Sequence, residues 1–304
     1  MPTLSPALPS APLTTLRDFL RWAVSRFEVA GVFYGHGTDN AFDEAAWLVL
    51  GALRLPHERL DVFLDARLTD DEREHLAHLI ELRCVRRVPT AYLLGEAWQG
   101  GLRFRVDERV LIPRSYFAEL LHEGFAPWIG DVHAVGSALD LCTGSGCLAV
   151  LMALTFPNAR VDAVDLSADA LALARANIAD HGLEERVTPL WSDLFAALDG
   201  RRYDLIVSNP PYVTTAAMAA LPAEYRHEPA LALAGGEDGL DLVRRILAAA
   251  PDHLNDGGLL AIEVGHNRAL VEAALPTLPL TWLATESGED KIFLVHKDDL
   301  EARR

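Results

Sequence analysis

The sequence predicts an α/β protein in which a sheet of seven strands, covered by helices on both faces, follows a small helical domain. Three observations carry this expectation. From residue 137 onward, apolar strand patterns alternate with helical ones, the arrangement that builds a parallel sheet. Before residue 89, apolar residues recur only at helical spacing. Three successive strands also end in residues suited to a ligand, and the carboxyl ends of such strands are where ligands sit.

Taken in order, residues 1–13 hold four prolines and read as a disordered lead. Leu16, Phe19, Leu20, Ala23, Val24 and Phe27 then mark one face of a helix that stops at Gly31. The loop from Gly35 to Asn40 supplies capping residues for a second helix through Phe42, Ala46, Leu50 and Leu53. Further helices fit 57–64 and 70–88, so residues 14–88 form a helical domain. In residues 89–113, Gln99-Gly100-Gly101 signals a turn, and Leu102, Phe104 and Val106 alternate with polar residues, as in a hairpin linker. Residues 114–304 form a second domain, opening with a helix around 115–127. Its strands fit 137–142, 160–165, 187–191, 203–208, 258–264, 280–285 and 291–296, and its helices 147–156, 167–181, 238–254 and 267–275. The pattern implies a parallel sheet.

A length of 304 residues allows two cores, and half the residues are apolar with 23% charged, an ordinary globular balance. No apolar run is long enough to cross a bilayer and the N-terminus lacks a signal-peptide layout, so a cytoplasmic protein without membrane association is expected. Cys84, Cys142 and Cys147 have neither disulfide-framework nor metal spacing and read as reduced, packed thiols; no metal site is expected. The net charge of −17 is uneven: residues 1–120 carry 14 basic against 17 acidic side chains, and residues 121–304 carry 13 against 27. That distribution disfavours direct nucleic-acid binding and suits a basic protein partner.

Three motifs sit at strand ends. Asp140-Leu141-Cys142-Thr143-Gly144-Ser145-Gly146 follows an apolar strand and opens a helix, so its glycines admit close backbone approach and the helix start offers free N–H groups. Asp165 ends the next strand, 19 residues beyond Gly146, where a carboxylate can accept both hydroxyls of a ribose; Asp193 ends the third. Singly, each aspartate reads equally well as a helix cap. Gly144-x-Gly146-x-x-Ala149 also satisfies the dinucleotide fingerprint, which keeps a nicotinamide dehydrogenase in competition. The fourth strand end decides between them. Val207-Ser208-Asn209-Pro210-Pro211-Tyr212 offers no proton-relay residue, and instead an amide side chain and an aromatic ring held stiffly by two prolines, a constellation suited to transfer onto a planar nitrogen.

The Asp140–Gly146 loop, the aspartate after the second strand and Asn-Pro-Pro-Tyr together resemble class I methyltransferases, which use S-adenosylmethionine, leaving S-adenosylhomocysteine, to methylate planar amide or amino nitrogens. That set includes DNA and RNA amino methyltransferases and the N5-glutamine methyltransferases that act on proteins. The helical N-terminal domain, residues 89–106 and the Val-Leu-Ile-Pro-Arg-Ser stretch followed by Glu119 resemble the N5-glutamine family over nearly the whole chain. Ser115-Tyr116-Phe117-Ala118 departs from the release-factor branch, whereas residues 22–27, 34–45 and 224–242 are similar to the branch acting on the third large-subunit ribosomal protein. The resemblance implies a Rossmann-like seven-stranded fold, with residues 114–304 as the catalytic domain and residues 14–88 as a substrate-recognition domain. It also implies a donor-binding set in which Asp140 helps shape the loop, Cys142, Thr143, Gly144, Ser145 and Gly146 line the donor's methionine end, Asp165 holds its ribose, and Asp193 with Leu194 its adenine. Asn209, Pro210, Pro211 and Tyr212 would hold the acceptor amide, Asn209 touching the donor as well. Arg114, Ser115 and Glu119 would wall the donor pocket and Tyr225 to Pro229 form a substrate-side loop, while His36 has no assigned role. Release-factor and nucleic-acid methylation remain as alternatives.

Overall fold

Thr15 opens the first helix with a capping box: its hydroxyl accepts the Asp18 N–H, and the Asp18 carboxylate accepts the Thr15 N–H at 3.0 Å. The computed structural model describes residues 13–286 and 288–303. Of the expected disordered lead, residues 1–12 lie outside the described residues, and Leu13 is buried. Helix α1 (Leu16–Ala30) ends at Gly31, whose φ of 60° is the left-handed cap that glycine accepts most easily. Asn40 caps α2 (Ala41–Ala52), a 3₁₀ turn leads into α3 (Leu60–Phe63), and Thr69 with Glu72 caps α4 (Asp70–Glu81). The helix expected to reach residue 88 instead widens into a π turn at Leu82–Arg86 and stops where Arg87 turns left-handed at φ 61°.

The chain divides into two units, Met1–Ala97 with Pro222–His227, and Trp98–Leu221 with Glu228–Arg304. In the first unit Leu16, Phe19, Phe27, Leu48, Leu76 and Ile80 form the core. Beside it lies a buried polar knot. Arg83 donates through Nε to Glu44 at 2.7 Å, through one terminal nitrogen to Glu224 at 3.3 Å and through the other to the Phe33 carbonyl at 2.8 Å. Glu224 also accepts the Phe33 N–H at 3.0 Å, and Tyr225 packs against Phe33 and His36. These bonds explain why residues 222–227, read from sequence as part of one continuous catalytic domain, group with the helices.

Residues 89–95, expected in a hairpin, instead form α5 (Thr90–Leu94), ended by Gly95 at φ 71°, and the hairpin proper is β1 (Glu96–Gln99) and β2 (Leu102–Arg105). In the second unit α6 is only Phe117–His122, because Gly124 and Phe125 both take positive φ and break the expected longer helix. There follow β3 (Ser137–Leu141), α7 (Cys147–Thr155), β4 (Arg160–Asp165), α8 (Ala168–Asp180), β5 (Val187–Trp191) and β6 (Tyr203–Ser208). Next come α9 (Thr215–Ala220), α10 (Asp241–His253), β7 (Leu254–Glu263), α11 (Arg268–Ala274), β8 (Thr281–Thr285), β9 (Gly288–His296) and α12 (Lys297–Glu301).

The seven strands lie in the order β5-β4-β3-β6-β7-β9-β8. Six run in one direction, but β9 runs antiparallel to both its neighbours, β7 and β8, so the sheet is mixed rather than parallel as expected. The reason is local: no helix separates β8 from β9, and a chain that turns straight back must pair antiparallel. Along β6, Leu205 and Val207 face one core with α7, and Ile206 faces the other with α10. Because β3 pairs with β4 on one side and β6 on the other, the crossovers diverge there and the strand ends open a crevice.

Candidate active site

At the crevice, Leu141 hands over to a loop bent by three left-handed residues, Cys142 (φ 62°), Gly144 (φ 55°) and Gly146 (φ 80°). Asp140 organises it from inside: its Oδ2 accepts the Thr143 hydroxyl at 2.5 Å and the Ala149 N–H at 3.1 Å, tying the loop to the first turn of α7. Its Oδ1 is buried without a hydrogen-bond partner among the described residues, and burial pushes the carboxyl up to about 7. Glycine is favoured at 146 by the left-handed φ of 80° and by crowding, since a Cβ there would stand 3.1 Å from Ala174 Cβ on α8. Asn177 on the same helix donates to the Ser145 carbonyl at 2.8 Å.

Asp165, at the end of β4, accepts the Gly144 N–H and the Ser167 N–H at 2.8 Å each, and burial raises its pKa. At the end of β5, Asp193 is half-exposed and paired with Arg245 at 2.8 Å, while Leu194 is buried in a left-handed conformation at φ 52°. Asn209 and the prolines follow β6 directly, with Ser208 Oγ donating to the Leu141 carbonyl at 3.0 Å and so joining the two central strand ends.

A cavity of ≈ 380 Å³ lies between these strand ends. Cys142, Gly144, Asp165, Asp193, Leu194, Asn209 and Pro211 line it. Asp140, Thr143, Ser145, Gly146, Pro210 and Tyr212 do not; the first four shape the loop from behind, and Tyr212 turns its hydroxyl toward Glu263 at 3.5 Å. Arg114, Ser115 and Glu119, expected as pocket walls, lie outside the lining as well. Arg114 forks onto Glu228 at 2.6 and 2.8 Å, the Ser115 hydroxyl donates to Glu263 at 2.5 Å, and Glu119 accepts the Glu286 N–H at 2.6 Å. Of the expected substrate-side loop, Pro229 lines the cavity.

Sequence reasoning missed other lining residues, among them Arg109, Leu111, Ser167, Leu231 and Arg245. They come from four separate segments and share no motif. It also missed Gly235, where a Cβ would come within 2.8 Å of the Pro211 carbonyl, and Glu263, the last residue of β7. The Gly235-Gly236 pair and an acid closing an apolar strand were the available signals.

Residues 125–224 match the family model described as Methyltransferase small domain, and residues 18–95 match that of the PrmC N-terminal domain. The chain is 57% identical over 288 residues to the ribosomal protein uL3 glutamine methyltransferase of Bordetella pertussis, an alignment covering 95% of this chain and 97% of that protein. It is 55% identical over 298 residues to the protein of the same name from Burkholderia pseudomallei, covering 96% and 97%. Among solved structures, the hMettl16 catalytic domain in complex with MAT2A 3′UTR hairpin 1 aligns with a TM-score of 0.51 at 17% identity, covering 77% of this chain and 83% of that one. That likeness is one of fold, and the mixed seven-stranded sheet is that of the class I methyltransferases.

Proposed function

The chain belongs to the family of ribosomal protein uL3 glutamine methyltransferases, and from that premise we propose that it transfers a methyl group from S-adenosylmethionine to the N5 side-chain nitrogen of a glutamine in uL3. The observation that carries the reading is the placement of Asn209 and Pro211 on the same cavity as Gly144, Asp165 and Asp193, at adjoining ends of β3 to β6.

The residues present fit an adenosyl group. The cavity is of nucleoside scale, Asp165 presents a carboxylate to it, and a Cβ at Gly144 would meet nothing within 4 Å, so the backbone there is open to close approach. Asp165 would hold the ribose, Asp193 and Leu194 the adenine, and the Cys142–Gly146 turn the methionine end. Bound there, S-adenosylmethionine supplies an electrophilic methyl group on a sulfonium cation.

The protein's own task is to present the acceptor. A glutamine amide nitrogen is a weak nucleophile because its lone pair is delocalised into the carbonyl. The Asn209 side-chain oxygen accepts one amide N–H and the Pro210 carbonyl accepts the other, so both bonds strengthen as positive charge develops on nitrogen. Pro211 restricts the backbone at low entropic cost. Alignment alone supplies on the order of 7 kcal/mol of barrier lowering in well-oriented systems, so no strong base is needed before transfer. The proton leaves afterwards, when the methylated nitrogen has become acidic. Asp140, Thr143, Ser145 and Gly146 shape the donor loop, and Tyr212 backs the acceptor site.

The excess of acidic side chains in residues 121–304, 27 against 13 basic, suits a basic ribosomal protein. Competition for labelled methyl donor between purified uL3 and a peptide-chain release factor tests the substrate. Label on uL3 is expected; label on the release factor alone would keep the chemistry and overturn the acceptor, and label on RNA or DNA alone would overturn the protein substrate altogether.

A further inference from the structure

Glu263 ends β7 with a carboxyl group buried inside the protein, the residue being 1% exposed. Strand β7 pairs with β6 so that Ile262 stands opposite Ser208, which brings Glu263 out beside Asn209. Its Oε2 accepts the Ser115 hydroxyl at 2.5 Å and the Tyr116 N–H at 3.1 Å, and its Oε1 faces the Tyr212 hydroxyl at 3.5 Å. Two residues on, Gly265 lies under the Tyr212 ring: it adopts φ 56°, and a Cβ there would stand 2.7 Å from Cε2. Two residues further, Asn267 Nδ2 donates to the Tyr212 carbonyl at 2.7 Å. Hydroxyl, ring and carbonyl of one residue are thus met by one five-residue segment. That segment is itself anchored, since Val264 N–H donates to the Lys291 carbonyl at 2.8 Å and Asn267 N–H to the Val264 carbonyl at 3.1 Å.

We propose that Glu263, Gly265 and Asn267 are positioning residues for amide methylation, clamping Tyr212 and, through it, the attitude of the Asn209 side chain and the Pro210 carbonyl. The inference rests on the reaction proposed above. Its physical basis is stiffness. Pro210 and Pro211 have fixed φ, so a rotation at Tyr212 is passed back along the chain instead of being absorbed. A displacement of about 1 Å at a reacting group costs on the order of 100-fold in rate. A buried carboxyl is costly to keep, and its bonds to Ser115 and Tyr116 hold it in one orientation.

The test compares Glu263→Ala, Glu263→Gln, Asn267→Ala and Tyr212→Phe in the full-length protein with uL3 as acceptor. Glu263→Ala and Asn267→Ala are expected to lower kcat about tenfold or more, with the donor Kd by calorimetry within about threefold of wild type. Glu263→Gln is expected to keep kcat within about threefold, because the amide oxygen still accepts from Ser115 and Tyr116 while its N–H₂ faces the Tyr212 hydroxyl. Tyr212→Phe, which removes only the hydroxyl contact, is expected to fall between them. Hydrogen exchange over residues 207–214 gives a readout that needs no acceptor, and it is expected to quicken in Asn267→Ala while the flanking strands stay protected. Unchanged exchange there, or a kcat within about twofold of wild type in both alanine variants, overturns the clamp. Failure of the wild-type enzyme to methylate uL3 would overturn the proposed reaction instead, and the exchange measurement would then decide the clamp by itself.

Discussion

At Asp165 both carboxylate oxygens already accept backbone N–H groups, from Gly144 and Ser167 at 2.8 Å. Each oxygen retains a lone pair, so the side chain can order the donor loop and bind ribose hydroxyls together. Asp165→Ala is therefore expected to weaken donor binding about tenfold to a hundredfold, the value of one or two charge-assisted hydrogen bonds; an unchanged Kd by calorimetry would remove Asp165 from the ribose role. Asp165, Gly144 and Asn209 were legible in the sequence because each sits at a fixed place after an apolar strand. Glu263 was not, since one acid closing such a strand reads the same whether it turns outward to water or inward to Tyr212. The loop-shaping role of Asp140 was legible from its place at the strand end, and its bonds to Thr143 and Ala149 carry that role out from behind the cavity.

The strands were the elements best read from sequence, because β3 and β6 are buried on both faces and their apolar runs have no other use. Short elements escaped. Helix α9 and the 3₁₀ turns at Ala223–His227 and Ala230–Ala232 lie in a segment rich in alanine and proline with no clear period. The reversal of β9 was hidden too, since a strand pattern carries no direction. Residues 222–227 join the helical unit for a reason that only three-dimensional proximity reveals, the shared guanidinium of Arg83. That group sets the element-scale prediction. Arg83→Ala would remove the guanidinium that Glu44 and Glu224 share, leaving Glu224 with Arg87 at 3.4 Å, and removing one partner of such a buried cluster costs about 3–5 kcal/mol. Hydrogen exchange of α1 and α2 is expected to register that loss, and a change below about 1 kcal/mol would contradict the role given to the cluster.

Across the whole molecule the two buried carboxyls give stability a pH dependence of definite sign. Asp140 and Glu263 are raised from 3.8 and 4.5 to about 7 by burial, so between those values the unfolded chain releases protons that the folded protein keeps. Their contribution is fully present below the unfolded values and is lost as pH rises through about 7. Glu263→Gln removes one of the two: the stability difference between wild type and this variant is expected to shift against wild type by on the order of 3 kcal/mol from pH 4.5 to pH 8, measured by urea unfolding. A difference independent of pH would mean that Glu263 is ionised and solvated in the folded protein. The central claim, however, concerns one atom. Tandem mass spectrometry of uL3 after incubation with the purified enzyme and isotopically labelled S-adenosylmethionine locates the new methyl group. A single label on the N5 nitrogen of one glutamine is expected, absent with Asn209→Ala although that variant still binds the donor. Label on a lysine, arginine or backbone nitrogen, or full transfer by Asn209→Ala, would contradict it.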